Sequence, residues 1–440
     1  MKSVLRWQPV VLGILWLATR ASAQTVNDPT LRVNKYVGGF DSPTGVAFLD
    51  DAGTALVTEK NSGKVKLVQN RQIVRTVLDL PVSNGSERGL LSIALSPNFA
   101  SDKLVYLYHT VAAADGGSPI SNKIARYRWD GTSLIFDRKI IDLLPGPGPN
   151  HDGGKIVFDR NGKLLTVIGD LNRDERTTNF ENAATTNRVA AILRLQPNGS
   201  HIPTNPFSTG TTTGAGVAVD DIYAYGVRNS FGIAVDPVTG DLWDSENGAG
   251  EFDEINRVPP GFNSGWQDIM GPKARNGGST GTLVSLGPRA NYQDPKMSWQ
   301  APVAPTDIEF MRSNRMGLEY RDDLFVGDVN TGSLYHFDLT STRKSLQLTG
   351  ELSDRVADNS DGNLLKEQDD IVFGSGFGVT SDLLTGPGGL FVLSFTNGTL
   401  YRISQNPQES AFAMSFSGVP EPSCAVMLAI MSAALLRRLR

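Results

Sequence analysis

One unit recurs six times along this chain: a small-residue or glycine entry, an alternating apolar strand, an acidic or glycine turn, and a second apolar strand. The copies pair Thr44–Phe48 with Ala55–Thr58, Leu91–Leu95 with Leu104–Leu107, and Gly154–Phe158 with Leu164–Ile168. They continue with Phe231–Val235 and Asp241–Trp243, Thr306–Phe310 and Asp323–Val326, and Ser381–Leu384 and Gly389–Val392. Several copies run on into an outer strand, as in Gly332–Phe337 and Gly398–Ile403. No long segment carries the 3.6-residue period of an amphipathic helix. A small sheet with two apolar faces cannot bury both alone, so units of this kind cover one another and close into a ring. Six units predict an all-β, six-bladed β-propeller of four-stranded blades, in one domain spanning residues 24–418. An open β-sandwich is the alternative, and the regularity of the repeat argues against it.

Both ends of the chain read as sorting signals. Met1–Ala23 has a basic start at Lys2 and Arg6, an apolar stretch Val10–Ala18, and a small-residue cleavage site Ala21-Ser22-Ala23, which is the pattern of an export signal. At the other end Val419-Pro420-Glu421-Pro422-Ser423 precedes the apolar run Cys424–Leu436 and then Arg437, Arg438 and Arg440. That run would span roughly 20 Å as a helix, short of a bilayer core. Residues 419–440 resemble the PEP-CTERM sorting tail of bacteria, and the resemblance implies a membrane transpeptidase as a partner that removes the tail after export. A plain membrane anchor is the other reading. Either way the folded part is exported, to the periplasm, the cell surface or beyond.

Composition narrows the function. Cys424 is the only cysteine, so residues 24–418 form no disulfide and depend on their core. The leader adds three positive charges and the tail a net two, so the −5 of the whole chain becomes about −10 for residues 24–418. With no basic stripe, this is not a nucleic-acid-binding surface.

Chemistry gathers in two places. Only four histidines occur in 440 residues, and His151 opens the stretch His151-Asp152-Gly153-Gly154, which is followed by Gly169-Asp170. Lys155–Asp159 and Lys163–Ile168 read as hairpin strands around the turn signal Asp159-Arg160-Asn161-Gly162. If Arg160 and Asn161 turn, His151 lies directly opposite Asp170. If Asn161 and Gly162 turn, Asp170 falls opposite Gly153, one diagonal step from His151. A carboxylate beside an imidazole fixes its tautomer and raises its basicity, as a general base requires. A histidine that only secures a hairpin end is the plainer alternative.

The second place is Ser245–Asn256, where Glu246, Glu251, Asp253 and Glu254 surround Gly248, Ala249 and Gly250. Hard cations such as calcium take oxygen ligands from carboxylates and turned-in carbonyls, so Asp253 and Glu254 are candidate ligands. A solvated acidic turn is the alternative. Just upstream, Arg228 in Tyr225-Gly226-Val227-Arg228-Asn229 would clamp a planar anion or tie to a carboxylate.

Taken in order, Glu87–Ala94, His151–Gly154 with Gly169-Asp170, Ile192–Leu195, Tyr225–Asn229, Asp253–Asn256, Gly265-Trp266, Tyr320-Arg321 to Gly327-Asp328, and Val379–Ile403 resemble the soluble glucose dehydrogenase, or glucose/sorbosone dehydrogenase, family of quinoproteins. The resemblance runs from about Val33 to Ile403 and implies a six-bladed propeller. It also implies oxidation of the C1 hydroxyl of an aldose, with hydride passing to pyrroloquinoline quinone and then to an external electron acceptor. On it, His151 is the base and Asp170 its orienting partner. Arg228 and Asn229 hold the cofactor, Asn247 stands for a cofactor-contacting glutamine, and Glu87 for a glutamine of the site. The carbonyls of Gly248 and Ala249 bind a calcium ion, and Glu254 matches a ligand of a second one. Three family cations are missing: Asn330 aligns with a cofactor-contacting lysine, and Val379–Ser381 with two arginines.

Three functions compete on these grounds. The first is an exported, calcium-dependent quinoprotein sugar dehydrogenase. The second is a non-catalytic calcium-binding propeller that acts as an extracellular interaction module, which the missing cations favour. The third, a metal-dependent hydrolase such as a lactonase, rests on fold analogy alone.

Overall fold

Every repeat of the sequence becomes the inner pair of strands of a separate sheet. In the computed structural model, which describes residues 23–183, 187–208, 219–358 and 367–407, these residues form six sheets. The six inner strands are Pro43–Phe48, Leu90–Leu95, Ile156–Phe158, Ser230–Val235, Pro305–Phe310 and Thr380–Gly386. Each packs against the next in chain order, and the last packs against the first, which closes the ring. The expected all-β propeller with six blades is what forms. Three blades have four strands, and the others add short edge strands to reach five, five and six. The export signal and the sorting tail lie outside the described residues, Ala23 apart. Among the described residues no helix is long and apolar enough to cross a membrane.

The blades are built from strands buried on both faces, because each is covered by a neighbour on either side. Phe391 shows the rule together with its neighbours Leu390 and Val392. Leu390 and Val392 pack toward the fifth blade with Phe325 and Leu334, whereas Phe391 packs toward the first with Val57 and Tyr36. Every interface between successive blades has its own apolar cluster of this kind. Burying a large apolar side chain is worth roughly 1.5–3 kcal/mol, so a chain with no disulfide has ample driving force.

Residues near the N-terminus lock the ring. Leu31–Gly38 is the outer strand of the sixth blade, antiparallel to Thr399–Gln405 with Val33 opposite Ile403. Thr25–Val26 pairs with Val372–Ser375 on the fifth blade. The sixth blade thus takes its outer strand from near the start of the folded part and its other three from residues 380–405, which closes the ring within one sheet.

Charge, not apolar packing, joins three blades at the axis. Lys155 Nζ lies 2.7 Å from Asp307 Oδ2 and also binds Asp382 Oδ1. The amides of Leu383 and Val46 donate to Asp307 and Asp382 at 2.7 Å each. Burial works against the lysine charge, but the two carboxylates hold it above the ordinary range.

Candidate functional site

His151 and Asp170 meet, although not through the expected ladder. The observed strands are Ile156–Phe158 and Leu164–Ile168, with Ile156 opposite Thr166 and Phe158 opposite Leu164. Asp159 closes on Lys163 at 2.9 Å, and Gly162 takes φ +69°. The loop therefore holds three residues, and both two-residue registers expected from the sequence are wrong by one. A glycine in the left-handed region suits a three-residue loop, and that is the signal the turn motif carried.

What brings the pair together is the curl before the strand. Gly153 and Gly154 adopt φ +63° and +110°, and the amide of Gly154 donates to Val167 O at 2.9 Å. A Cβ on Gly153 would come within 2.5 Å of Val167 O, and one on Gly169 within 2.6 Å of His151 O, so only glycine allows this approach. His151 itself sits at φ +66°, and its amide donates to the Glu87 carboxylate.

His151 Nδ1 lies 2.6 Å from Asp170 Oδ1 in a buried contact. Asp170 is fixed in turn: Trp266 Nε1 donates to its Oδ2 at 2.8 Å, and the amide of Asn172 donates to Oδ1 at 2.8 Å. The carboxylate therefore accepts the Nδ1 proton, and Nε2 is left with its lone pair. Among the described residues Nε2 makes no hydrogen bond, and it retains access to solvent. This is the arrangement of a general base with its orienting group.

Glu87 borders an axial cavity of about 260 Å³ whose walls include Lys60, Leu91, Phe231, Val379, Thr380 and Phe395. Burial raises the Glu87 carboxyl above its usual range, against hydrogen bonds from the His151 and Asp152 amides. Its Oε1 also meets Asn229 Nδ2 at 3.5 Å. Next to His151, burial pushes Asp152 up to about 7, opposed by a hydrogen bond from Asn122 and by the charge of Arg88.

Arg228 stacks over Trp266 with its guanidinium carbon 5.4 Å from the ring centre. Its Nη1 donates to the carbonyls of Asn247 at 3.0 Å and Gly248 at 2.8 Å. Gly248 O, expected to face a cation, is therefore engaged by Arg228, while Ala249 is exposed. Asn247 Nδ2 is held by the carbonyls of Asn229 and Pro305, but the side-chain oxygens of Asn229 and Asn247 are buried without a partner among the described residues. Two buried, idle carbonyl oxygens at one edge of the site await a donor or a cation.

Asp253 and Glu254, read together as ligands, point to opposite faces of their strand. Asp253 accepts from the amides of Gly248 at 2.8 Å and Ala304 at 2.6 Å, so both of its oxygens tie loops. Glu254 faces the third blade, beside Glu246, its cross-strand partner. Asp244 shares that face, fully buried beside Asn256, and among the described residues neither of its carboxylate oxygens makes a well-formed hydrogen bond. Burial, then mutual repulsion, raises all three carboxyls, Glu246 to about 8. Ser264, Asn256 and the Gly271 amide donate to Glu246 or Glu254. No basic side chain is ion-paired with any of the three among the described residues. Three acids enclosed this way leave a concentration of buried negative charge, and sequence reasoning did not single out Asp244 and Glu246 as part of it. The signal was the parity of Asp244 and Glu246 within an otherwise buried strand.

Of the positions where family cations are missing, Val379, Thr380 and Ser381 do line the cavity. Asn330 is exposed and bonded to Pro302 O, and its neighbour Val329 reaches the cavity instead. Sequence reasoning also passed over Trp266 as a partner of Asp170, and over Lys60.

Residues 40–370 match the family model described as glucose / sorbosone dehydrogenase. The aldose sugar dehydrogenase YliI of Escherichia coli is 24% identical over 397 residues, 87% of this chain and 95% of that protein. Quinoprotein glucose dehydrogenase B of Acinetobacter calcoaceticus is 29% identical over 244 residues, covering 50% of this chain and 49% of its own. The pyrroloquinoline quinone-bound aldose sugar dehydrogenase of Streptomyces coelicolor shares the fold with a TM-score of 0.62, at 22% identity over 87% of this chain and 100% of that one.

Proposed function

Because the chain belongs to the glucose/sorbosone dehydrogenase family, we propose that it is a sugar dehydrogenase that oxidises the C1 hydroxyl of an aldose with pyrroloquinoline quinone and calcium. The observation that carries this reading is the His151–Asp170 pair, held at 2.6 Å with Nε2 left free, while the His151 amide donates to Glu87 on the wall of the axial cavity. His151 Nε2 takes the hydroxyl proton, while Asp170 retains the Nδ1 proton in its hydrogen bond and stabilises the imidazolium that forms. Trp266 keeps Asp170 from turning away. When bound, the quinone supplies a carbonyl that accepts hydride from the sugar carbon.

The residues suit such a cofactor. Phe231 and Phe395 give apolar walls of the kind that flank a planar ring, with Glu87 beside them, and Asn229, which meets Glu87, would add a polar contact together with Arg228 and Asn247. The Asn247 side-chain oxygen, which has no hydrogen-bond partner among the described residues, and the Ala249 carbonyl would hold a calcium ion at the cofactor. Asp244, Glu246 and Glu254 would hold a second, structural one. The hydride's electrons then pass to an external acceptor.

Reconstitution tests the reading. Purified residues 24–418 with pyrroloquinoline quinone and calcium should reduce a redox dye when an aldose is added. Quinone uptake without any sugar-dependent reduction would count against it. It would favour the non-catalytic calcium-binding propeller, for which the absence of basic side chains at Asn330 and Val379–Ser381 speaks. Export with removal of both ends is part of the proposal. The mass of the protein recovered from the cell exterior should match a chain beginning near Gln24 and lacking residues from about 419 onward.

A further inference from the structure

Two lysines line the axial cavity, and they differ in what neutralises them. Lys155 is clamped by Asp307 and Asp382, so its charge is spent within the protein. Lys60 has no such partner among the described residues. Its Nζ donates to Asn61 Oδ1 and to Asn84 O, both neutral, at 3.2 Å each. An ammonium has three donors, so one is left for the cavity.

The placement of Lys60 is built in. Its amide donates to Ser42 O at 2.9 Å, and its carbonyl accepts from Leu90 at 3.1 Å, which pins the backbone on both sides. Its stem lies against Gly89, where a Cβ would come within 2.6 Å of Lys60 Cγ. The bare backbone of Gly89 thus opens the channel through which a buried lysine reaches the cavity. Desolvation works against the charge, and the more distant Asp152 and Glu87 favour it. A buried cation whose hydrogen-bond partners are all neutral is a ready partner for an anion from outside the chain.

We propose that Lys60 binds a carboxylate of the quinone cofactor, and so replaces part of the positive charge missing at Asn330 and Val379–Ser381. The proposal rests on the functional reading above. Glu87 brings a negative charge into the same cavity, and Lys60 offsets it, so that a polyanionic cofactor does not meet a net negative wall. Arg228 does not do this alone, because its Nη1 is engaged by two carbonyls.

The test is equilibrium titration of metal-loaded protein with pyrroloquinoline quinone, for the wild type, Lys60→Met, Lys60→Gln and Lys60→Arg, with the melting temperature of each recorded. Loss of a charge-assisted contact should weaken Kd by about 10- to 100-fold in the Met and Gln variants. It should also flatten the dependence of Kd on salt, and Lys60→Arg should recover most of the affinity. A purely structural lysine would lower the melting temperature and leave the salt dependence unchanged. Quinone binding by either neutral variant within twofold of the wild type overturns the proposal while the functional reading stands. If the wild type itself takes up no quinone, both fall together.

Discussion

The axis and the interface between the third and fourth blades each bury a cluster of carboxylates, and the two are finished differently. At the axis, Asp307 and Asp382 straddle Lys155 and accept two backbone amides. Between the blades, Asp244, Glu246 and Glu254 face one another, and among the described residues only neutral donors bond to them. The first cluster is complete within the chain and serves as a tie among blades. The second is a charge imbalance that a bound cation would cancel. The same distinction separates Lys155, neutralised within the chain, from Lys60, proposed to meet a ligand.

Breaking the axial tie should have the largest effect on stability. Lys155→Met leaves two buried carboxylates without their cation, and removal of one partner of such a cluster costs about 3–5 kcal/mol. Chemical denaturation should report that loss, and a loss below about 1 kcal/mol would mean that the axial cluster is not a structural tie.

The inter-blade cluster should respond in the opposite way, to metal rather than to mutation alone. Calcium at a hundred times its Kd should add about 2.7 kcal/mol to stability, read as a rise in melting temperature that a chelator reverses. Glu254→Gln should reduce this gain while sparing the metal-free protein. An equal response in wild type and variant would remove the cluster from the metal's site.

Titration sharpens the contrast further. Burial and repulsion raise Glu246 to about 8, and Asp244 and Glu254 move in the same direction. Such groups hold a proton more readily in the folded state than in the unfolded one. Their contribution is therefore full below the unfolded carboxyl range, near 4–5, and is lost as the pH climbs to about 8. Metal-free protein should lose stability across this window, and calcium should flatten the slope. A metal-free protein that gains stability over the same range through these residues would contradict the assignment.

The smallest effect belongs to the support of the catalytic pair. Trp266→Phe removes one hydrogen bond to Asp170, so kcat/KM should fall by about tenfold with the fold unchanged, in keeping with roughly 1.5 kcal/mol for a bond to a charged group. An unaltered kcat/KM would show that Asp170 needs no such support.

The fold was legible because a propeller repeats its signal: all six inner strand pairs lie where alternation and turn residues put them. Closure by Leu31–Gly38 was not, since nothing in that strand names Thr399–Gln405 as its partner. At the site, His151 and Asp170 could be joined on paper because only a short hairpin separates them, although the register was off by one. Lys60, Trp266, Asp244 and Glu246 were harder to see. Trp266 meets Asp170 from 96 residues away, and the other three are ordinary residue types until burial makes an unpaired charge costly.

The most direct test of the account is a single-turnover experiment on His151→Ala loaded with pyrroloquinoline quinone and calcium. The variant should bind the cofactor as the wild type does, and reduce it with an aldose about 10²–10⁴-fold more slowly, the usual contribution of a general base. Reduction at the wild-type rate would contradict the central claim that His151 takes the proton.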